Sequence, residues 1–580
     1  MVIKFLGALL AFCFWHSLAA AHNKQSSPLE FYGPQQVLVA PGVSLSAWAF
    51  YSDATAKPVI LAFTPYSPQA LADRAQFFAA KGYVFLVVST RGRGDSGGHF
   101  QPFSPIDGQD AAQVIAWAAR QPWSNGQVAM WGGSYVGYSQ WAALSQLPHA
   151  LKTIVPAAAV FPGIDYPAYN NIRFNYSFQW LQALQGRGDW FQLAFRDDLW
   201  ATRIQQVRAS GHATADLAVF TGTNQVIAEQ WLQHSVNDNY WRAAVPSDAT
   251  LAQARLPVLT ITGYFDADQR GALAHHRRYV EAGSDQRQLA TLLIGPWDHS
   301  GTRSPSTQQA GITVENGSVL DMNNLHLSWY DWVFKQTPKP PALRSGIHYF
   351  LMGADEWHYT ETWPDSQVAW YLHSLPSADY SAAKPGLLGQ GKAAAASFQY
   401  QFSPERAGQA NPVGFNQLAN EQRDVLAIQG DGLVFVSNPL AAQVDLVGQP
   451  KLELHLSITS PDADIFVLLE ELMEDGSTLR LSYDMKRLRH RGGLDKNQVM
   501  HAGQVYSLRF DSFTFIARRL AKGSRLRLSL HSNPPLYLEH NYGGIGPVSQ
   551  QRRGEIGPIQ VKVSQQESKP AVLWLPFLQD

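Results

Sequence analysis

The sequence predicts an α/β protein in which a doubly wound parallel sheet is interrupted by a helical insertion and followed by a β sandwich. Three observations carry this. Between about residues 35 and 160 short apolar runs alternate with amphipathic stretches. A tryptophan-rich stretch without strand alternation then intervenes, and beyond about residue 360 apolar residues recur at every second position.

In chain order, residues 59–64, 83–89 and 128–131 read as short buried strands, because each is an unbroken apolar run too short for a helix. Residues 67–81 and 110–120 read as helices, with apolar side chains at three- and four-residue spacing. Such alternation needs a parallel sheet covered on both faces. A second strand pair, 257–262 and 289–294, brackets a helical stretch at 270–282, so the sheet resumes after the interruption.

The interruption, residues 166–251, carries Trp180, Trp190, Trp200, Trp231 and Trp241 among polar residues. It reads as a helical insertion over the end of the sheet, whose aromatics serve either a core of its own or a pocket. Further on, Leu452, Leu454 and Leu456, then Phe466 and Leu468, then Leu526, Leu528 and Leu530 alternate with polar residues. Turns such as Glu474-Asp475-Gly476 separate them, which is the pattern of an antiparallel sandwich, a jelly roll. The expected boundaries are 1–21 for a leader, 22–165 and 252–358 for the sheet, 166–251 for the insertion and 359–580 for the sandwich.

The leader is read from Lys4, the apolar run at residues 5–15 and the small residues Ala19, Ala20 and Ala21 before His22. This is the layout of a secretory signal peptide cut after Ala21, and it implies export, to a periplasm or beyond. The apolar run is short for a membrane span, and no later segment reaches that length. The only cysteine, Cys13, falls inside the leader, which leaves the mature chain without disulfides, thiolate catalysis or cysteine metal sites. Among the 580 residues 45% are hydrophobic, enough for sizeable cores, and the formal net charge of −1 gives no electrostatic footprint for nucleic acid.

Chemistry enters at Met130-Trp131-Gly132-Gly133-Ser134-Tyr135-Val136-Gly137, where an apolar strand ends in a glycine-packed serine and a helix follows. A tight strand-to-helix turn of this kind pushes a serine hydroxyl out above the sheet. A serine is a weak nucleophile until a histidine takes its proton and a carboxylate fixes that histidine's tautomer. Gly263-Tyr264-Phe265-Asp266 and Gly295-Pro296-Trp297-Asp298-His299 each follow a strand, and the order Ser134, Asp266, His299 is the order of the α/β-hydrolases. Residues 92–97 also fit the spacing of a dinucleotide fingerprint, but Gly98 and Pro102 follow where a helix should begin. His275 and His276 are adjacent on a helix and point apart, without the acids and histidines of a metal site. No cofactor or metal is expected.

These residues carry a resemblance. With Thr64-Pro65-Tyr66, Arg91-Gly92-Arg93-Gly94, Ser96-Gly97-Gly98, Asp238-Asn239-Tyr240-Trp241 and Asp462-Ala463-Asp464, the chain resembles the X-Pro dipeptidyl-peptidases, cocaine-esterase-type hydrolases and α-amino-acid ester hydrolases. The resemblance implies an α/β-hydrolase core, an inserted helical cap and a C-terminal jelly roll. It also implies that the Tyr66 hydroxyl and the Tyr135 backbone N–H hold the oxyanion. Glycine two residues after the serine is the commoner pattern; Gly137, one later, is this family's own variant. Amino-acid ester hydrolases of the family hold a substrate ammonium with clustered acids. Here Asp268 stands at one such position, Gln269 beside it, and Asn170-Asn171 near where another acid is expected. The expected partner is a small ester, amide or peptide, with peptidase and esterase activity left open because both use the same triad; the oligomeric state is not readable. The competing class is a non-catalytic protein that binds carbohydrate or protein through the jelly roll on a degenerate core.

Overall fold

The computed structural model describes residues 30–188, 196–406 and 432–578. The expected signal peptide and Trp190 lie outside them. The first of two large sheets has ten strands: β1 Glu30–Ala40, β2 Val43–Tyr51, β3 Lys57–Thr64, β4 Val84–Ser89, β5 Ser124–Gly133, β6 Leu151–Ala157, β7 Val258–Gly263, β8 Ala290–Gly295, β9 Gly346–Leu351 and β10 Glu356–Thr360. Their spatial order is β1-β2-β4-β3-β5-β6-β7-β8-β9-β10. Neighbours from β4 through β9 are parallel, and antiparallel pairs stand at either edge.

The buried apolar runs become the central strands, since only such side chains tolerate helices on both faces. Every residue of β4, β7 and β8 is buried. One helix begins earlier than its apolar pattern. Pro105–Ala118 starts at a capping box of Ser104 and Asp107 with proline in the first turn, five residues before the first apolar repeat. The loop at residues 92–97 closes on itself through Gly92 N–H to the Gly97 carbonyl, at 2.9 Å, and no helix starts there.

Between β6 and β7 the chain forms short helices, among them Tyr176–Ala183, Asp197–Ala209 and Gln225–Gln233. Trp200, Trp231 and Trp241 are buried in this cap, in an apolar cluster that also takes in Tyr135 and Tyr138 beside the nucleophile and Phe466 and Leu468 of the sandwich. It sits over the carboxyl ends of the parallel strands, where α/β sheets bind ligands.

The second large sheet has eleven strands, mostly antiparallel, beginning at Val368–His373 and ending at Val572–Leu575. It folds over on itself: Phe398, on a strand at one end of the hydrogen-bonded path, meets Phe435 from its middle with ring centroids 5.1 Å apart. Both halves share one apolar core that includes Leu454, Val467, Leu528 and Val563. The Asp462-Ala463-Asp464 motif is buried at one end of this core. Arg489 pairs with Asp462 at 2.7 Å, and Arg487 pairs with Asp464 at 2.8 Å and Glu539 at 2.7 Å. Arg487 also donates to the Asn171 carbonyl, at 2.8 Å, and so ties the cap to the sandwich. Removing one partner of such a network would strand a buried charge, which typically costs about 3–5 kcal/mol. Among the described residues no helix is long and apolar enough to cross a membrane.

Candidate active site

Ser134 joins β5 to the helix Tyr135–Leu144 with φ 62° and ψ −126°. This is a left-handed conformation that a side chain normally avoids, at a cost on the order of 1–3 kcal/mol. Its neighbours make room. A Cβ on Gly132, itself at φ 142°, would lie 2.7 Å from the Cβ of Val136, and one on Gly133 would lie 2.8 Å from the Cδ of Arg303. A Cβ on Gly137 would lie 2.8 Å from the Ala157 carbonyl oxygen. The late glycine thus has its own reason: the helix crosses β6 at residue 137, while Val136 covers the turn.

The second component follows β7 and the third follows β8. Asp266 is buried and accepts the Asp268 backbone N–H at 3.0 Å and the Nδ1 of His299 at 2.9 Å. The His299 loop is pinned by Asp298, which accepts the N–H groups of Gly301 and Ala310, and by Trp297, whose indole donates to Ser318. Ser134, His299, Tyr66, Tyr135 and Asp268 line one cavity of about 270 Å³, with aromatic walls that include Phe103, Tyr166, Phe174 and Trp180. Asp266 sits behind it.

Tyr66 reaches the cavity from the loop after β3. Its backbone N–H is held by the Thr64 hydroxyl at 3.0 Å, and its own hydroxyl accepts the Trp180 indole N–H at 3.1 Å with the Ser134 side chain beside it. Burial pushes the phenol up to about 12, with the Trp180 and Ser134 contacts opposing, so it stays protonated and able to donate. The Tyr135 N–H heads its helix, in the first turn where backbone N–H groups lack an intrahelical acceptor.

The acids behind the imidazole are crowded. His299 Nδ1 lies 3.4 Å from Asp268 Oδ2 as well as 2.9 Å from Asp266. Burial opposes the imidazolium, but the charges of Asp266 and Asp268 outweigh it and hold His299 above its ordinary value, Arg303 acting against them. Burial drives Asp268 well above the usual carboxylate range; His299 opposes this, and Asp266 and Asp165 add to it. Asp268 stands at the N-cap of Gln269–Glu281, yet its side chain makes no capping bond there. Asp266, Asp268 and His299 also form the one group among the described residues with metal-ligand proximity, their ligand atoms lying within 4.8 Å of one another.

Two expectations about the acid cluster need correction. Gln269 does not face the cavity: it donates to the carbonyls of Gly263 and Phe515 and accepts the Phe515 N–H, joining the Asp266 loop to the sandwich. Asn170 and Asn171 form a tight turn with φ 48° and 60°, which aims their amides at the Met485 and Leu494 carbonyls of the sandwich. The further acid near the pair is Asp165, buried, accepting the Phe161 N–H at 2.8 Å and the Gly271 N–H, and pushed up to about 8 by burial.

Three more residues escaped the sequence reading. Asp107 accepts the Tyr135 hydroxyl at 2.7 Å and that of Tyr138 at 3.2 Å, fixing the ring beside the nucleophile; burial raises it to about 7. Arg93 donates to the Pro65 carbonyl at 2.9 Å and to the carbonyls of Leu184, Gly186 and Gly188, fastening the Tyr66 loop to the cap. Trp180, one of the cap tryptophans whose spacing leaves core and pocket both open, lines the cavity.

A strained serine between a buried parallel strand and a helix, with an imidazole and a carboxylate arriving from later strand ends, is how α/β hydrolases are built, and this protein has that fold. It belongs to the S15 family of serine peptidases and esterases: the X-Pro dipeptidyl-peptidase (S15 family) model matches residues 43–301, and the X-Pro dipeptidyl-peptidase C-terminal non-catalytic domain matches residues 343–553. The chain is 24% identical to the cocaine esterase of Rhodococcus sp. over 572 residues, covering 93% of this chain and 96% of that one. Among solved structures it is similar to an α-amino-acid ester hydrolase, with TM-score 0.82, 20% identity and coverage of 97% of this chain and 98% of that one. It is also similar to an aminopeptidase from a marine-sediment Thaumarchaeota archaeon, with TM-score 0.80, 20% identity and coverage of 94% and 96%.

Proposed function

We propose that the chain is an exported serine hydrolase that cleaves an ester or amide through an acyl-enzyme. The observation that carries this is the 2.9 Å contact of His299 Nδ1 with Asp266, in a structure where Ser134, His299 and Tyr66 line one cavity. In the first half-reaction Ser134 Oγ bonds to the substrate carbonyl carbon while His299 takes the hydroxyl proton. Asp266 holds Nδ1–H and stabilises the imidazolium. The carbonyl oxygen becomes an oxyanion facing the Tyr66 hydroxyl and the Tyr135 N–H, donors whose value is greatest when the charge is fully developed. Collapse breaks the bond to the leaving alcohol or amine, which takes the proton from His299. Water then repeats the cycle on the acyl-serine, releasing the acid and restoring Ser134.

Matched p-nitrophenyl esters and dipeptidyl p-nitroanilides separate the two activities the triad allows. Turnover of either class supports the reading, and failure of both, with folded protein, contradicts it. Export rests on the sequence of the leader. N-terminal sequencing of protein from the extracytoplasmic fraction should begin at His22, and retention of Met1 would argue against it.

The pH dependence follows from the environment of His299. A general base must be neutral, so kcat/KM should fall as the medium is acidified through a pKa above the ordinary imidazole value of about 6.5. The sign is set by Asp266 and Asp268, which favour the imidazolium more than burial disfavours it. Asp268→Asn removes one of these charges and should move the acid limb to lower pH. A profile that is flat down to pH 5 would exclude His299 as the base.

Asp268 also lines the cavity, and we read it as the site for a substrate ammonium. A cation entering beside this buried carboxyl would favour its charged form, as the His299 imidazolium does, and gain a charge-assisted hydrogen bond of about 1–3 kcal/mol. Free-amino substrates should therefore exceed their N-acetylated counterparts in kcat/KM by about ten- to a hundredfold, and Asp268→Asn should shrink that ratio. Equal values for the two substrates in the unaltered enzyme would remove the amine site and leave a general esterase.

A further inference from the structure

We propose that Trp180 is a positioning residue for the oxyanion donor: by donating its indole N–H to the Tyr66 oxygen, it reserves the single Tyr66 hydroxyl proton for the oxyanion. The proposal rests on the reading of Tyr66 given above. Trp180 Nε1 lies 3.1 Å from the Tyr66 hydroxyl oxygen. An indole nitrogen can only donate, so the direction of this bond is fixed, whereas a phenol both donates once and accepts. With a lone pair occupied by Trp180, the Tyr66 proton points elsewhere, and the Ser134 side chain is within its reach. The oxyanion would form on the carbon bonded to Ser134 Oγ, beside that contact.

The indole is held in this orientation by its neighbours. Trp180 is 4% exposed and lies in a pile of rings: Tyr135 at 5.9 Å and Trp231 at 6.3 Å are stacked on it, and Phe103 lies at 5.7 Å. Tyr166 meets it edge-on at 6.0 Å. Two of these partners belong to separate machinery, since Tyr135 is the residue after the nucleophile and Trp231 lies in the cap helix Gln225–Gln233. The cap therefore contributes more than a lid: one of its side chains sets the polarity of a hydrogen bond to the sheet's oxyanion loop. Other residues reach the same loop: Arg93 donates to the Pro65 carbonyl, and Arg303 lies close enough for its charge to act on Tyr66.

A double-mutant cycle tests this with an ester substrate. Trp180→Phe keeps an aromatic wall and deletes the donor; it should lower kcat about tenfold, the scale of one hydrogen bond. In a Tyr66→Phe background, where there is no phenol to orient, the same change should alter kcat less than twofold, while any KM effect of the altered wall should be equal in both backgrounds. Equal kcat losses in the two backgrounds would make Trp180 a wall only and overturn the proposal. If Tyr66→Phe itself leaves kcat unchanged, the oxyanion reading has failed, and the proposal with it. Should Trp180→Phe not fold, 3-benzothienylalanine at position 180 replaces N–H by sulfur at nearly constant shape and gives the same comparison.

Discussion

Ser134→Ala should abolish turnover while leaving the protein folded. The substitution removes one oxygen at a position whose strained backbone is held by β5, the following helix and the Ser134 N–H bonds to the Ala157 and Ala158 carbonyls, at 3.0 and 3.1 Å. Alanine tolerates φ 62° no worse than serine does, and the glycines that clear space around the turn are untouched. The expected loss in kcat is about a millionfold, because nucleophile and base act as a unit. His299→Ala should lose nearly as much, and the double variant little more. Thermal unfolding checks that the fold is retained, and steady-state kinetics with an activated ester checks the loss. An alanine variant that retains even a hundredth of the original rate would require another nucleophile.

The second large effect is expected from Tyr66→Phe. The ring stays between the cap and the nucleophile and only the hydroxyl goes, so substrate still enters a cavity of nearly the same shape. What disappears is a donor aimed at charge that exists fully only in the transition state, and losing one such donor typically costs about 10²–10³ in kcat. KM should change little. Deleting the phenol also leaves the Trp180 N–H without its acceptor in a buried place, which adds a stability cost of about 1–3 kcal/mol. Kinetics should therefore be read below the lowered unfolding temperature. A rise in KM with kcat unchanged would make Tyr66 a wall of the pocket.

The parts of this fold that the sequence makes legible are those whose cause is local. An apolar run such as that of β4 is buried on both faces and has few alternatives. Likewise Ser134, Asp266 and His299 each stand just past the end of a strand, so that topology alone brings them together. β6 is not legible, because Lys152, Thr153 and Pro156 interrupt its apolar run; it is held as a strand by β5 on one side and β7 on the other. The helix from Pro105 hides its first turn behind Ser104 and Asp107, polar residues that serve the cap and not the apolar stripe. Site residues acting across long sequence separations left no pattern to read. Arg93 meets the cap some ninety positions away, and Trp180 meets Tyr66 across 114. Asp165 and Gln269 likewise owe their roles to what packs on them, which is why the further acid is Asp165 and the positions Asn170-Asn171 give no sign of it.

The central claim is that Ser134 is the nucleophile of an acyl-transfer triad, and covalent labelling tests it most directly. A fluorophosphonate reacts with a serine activated by its own histidine and leaves an adduct that peptide mass spectrometry can place on one residue. The account predicts stoichiometric labelling at Ser134, lost in Ser134→Ala and greatly slowed in His299→Ala. Labelling at a different serine, or an unlabelled Ser134 in folded protein, would contradict it.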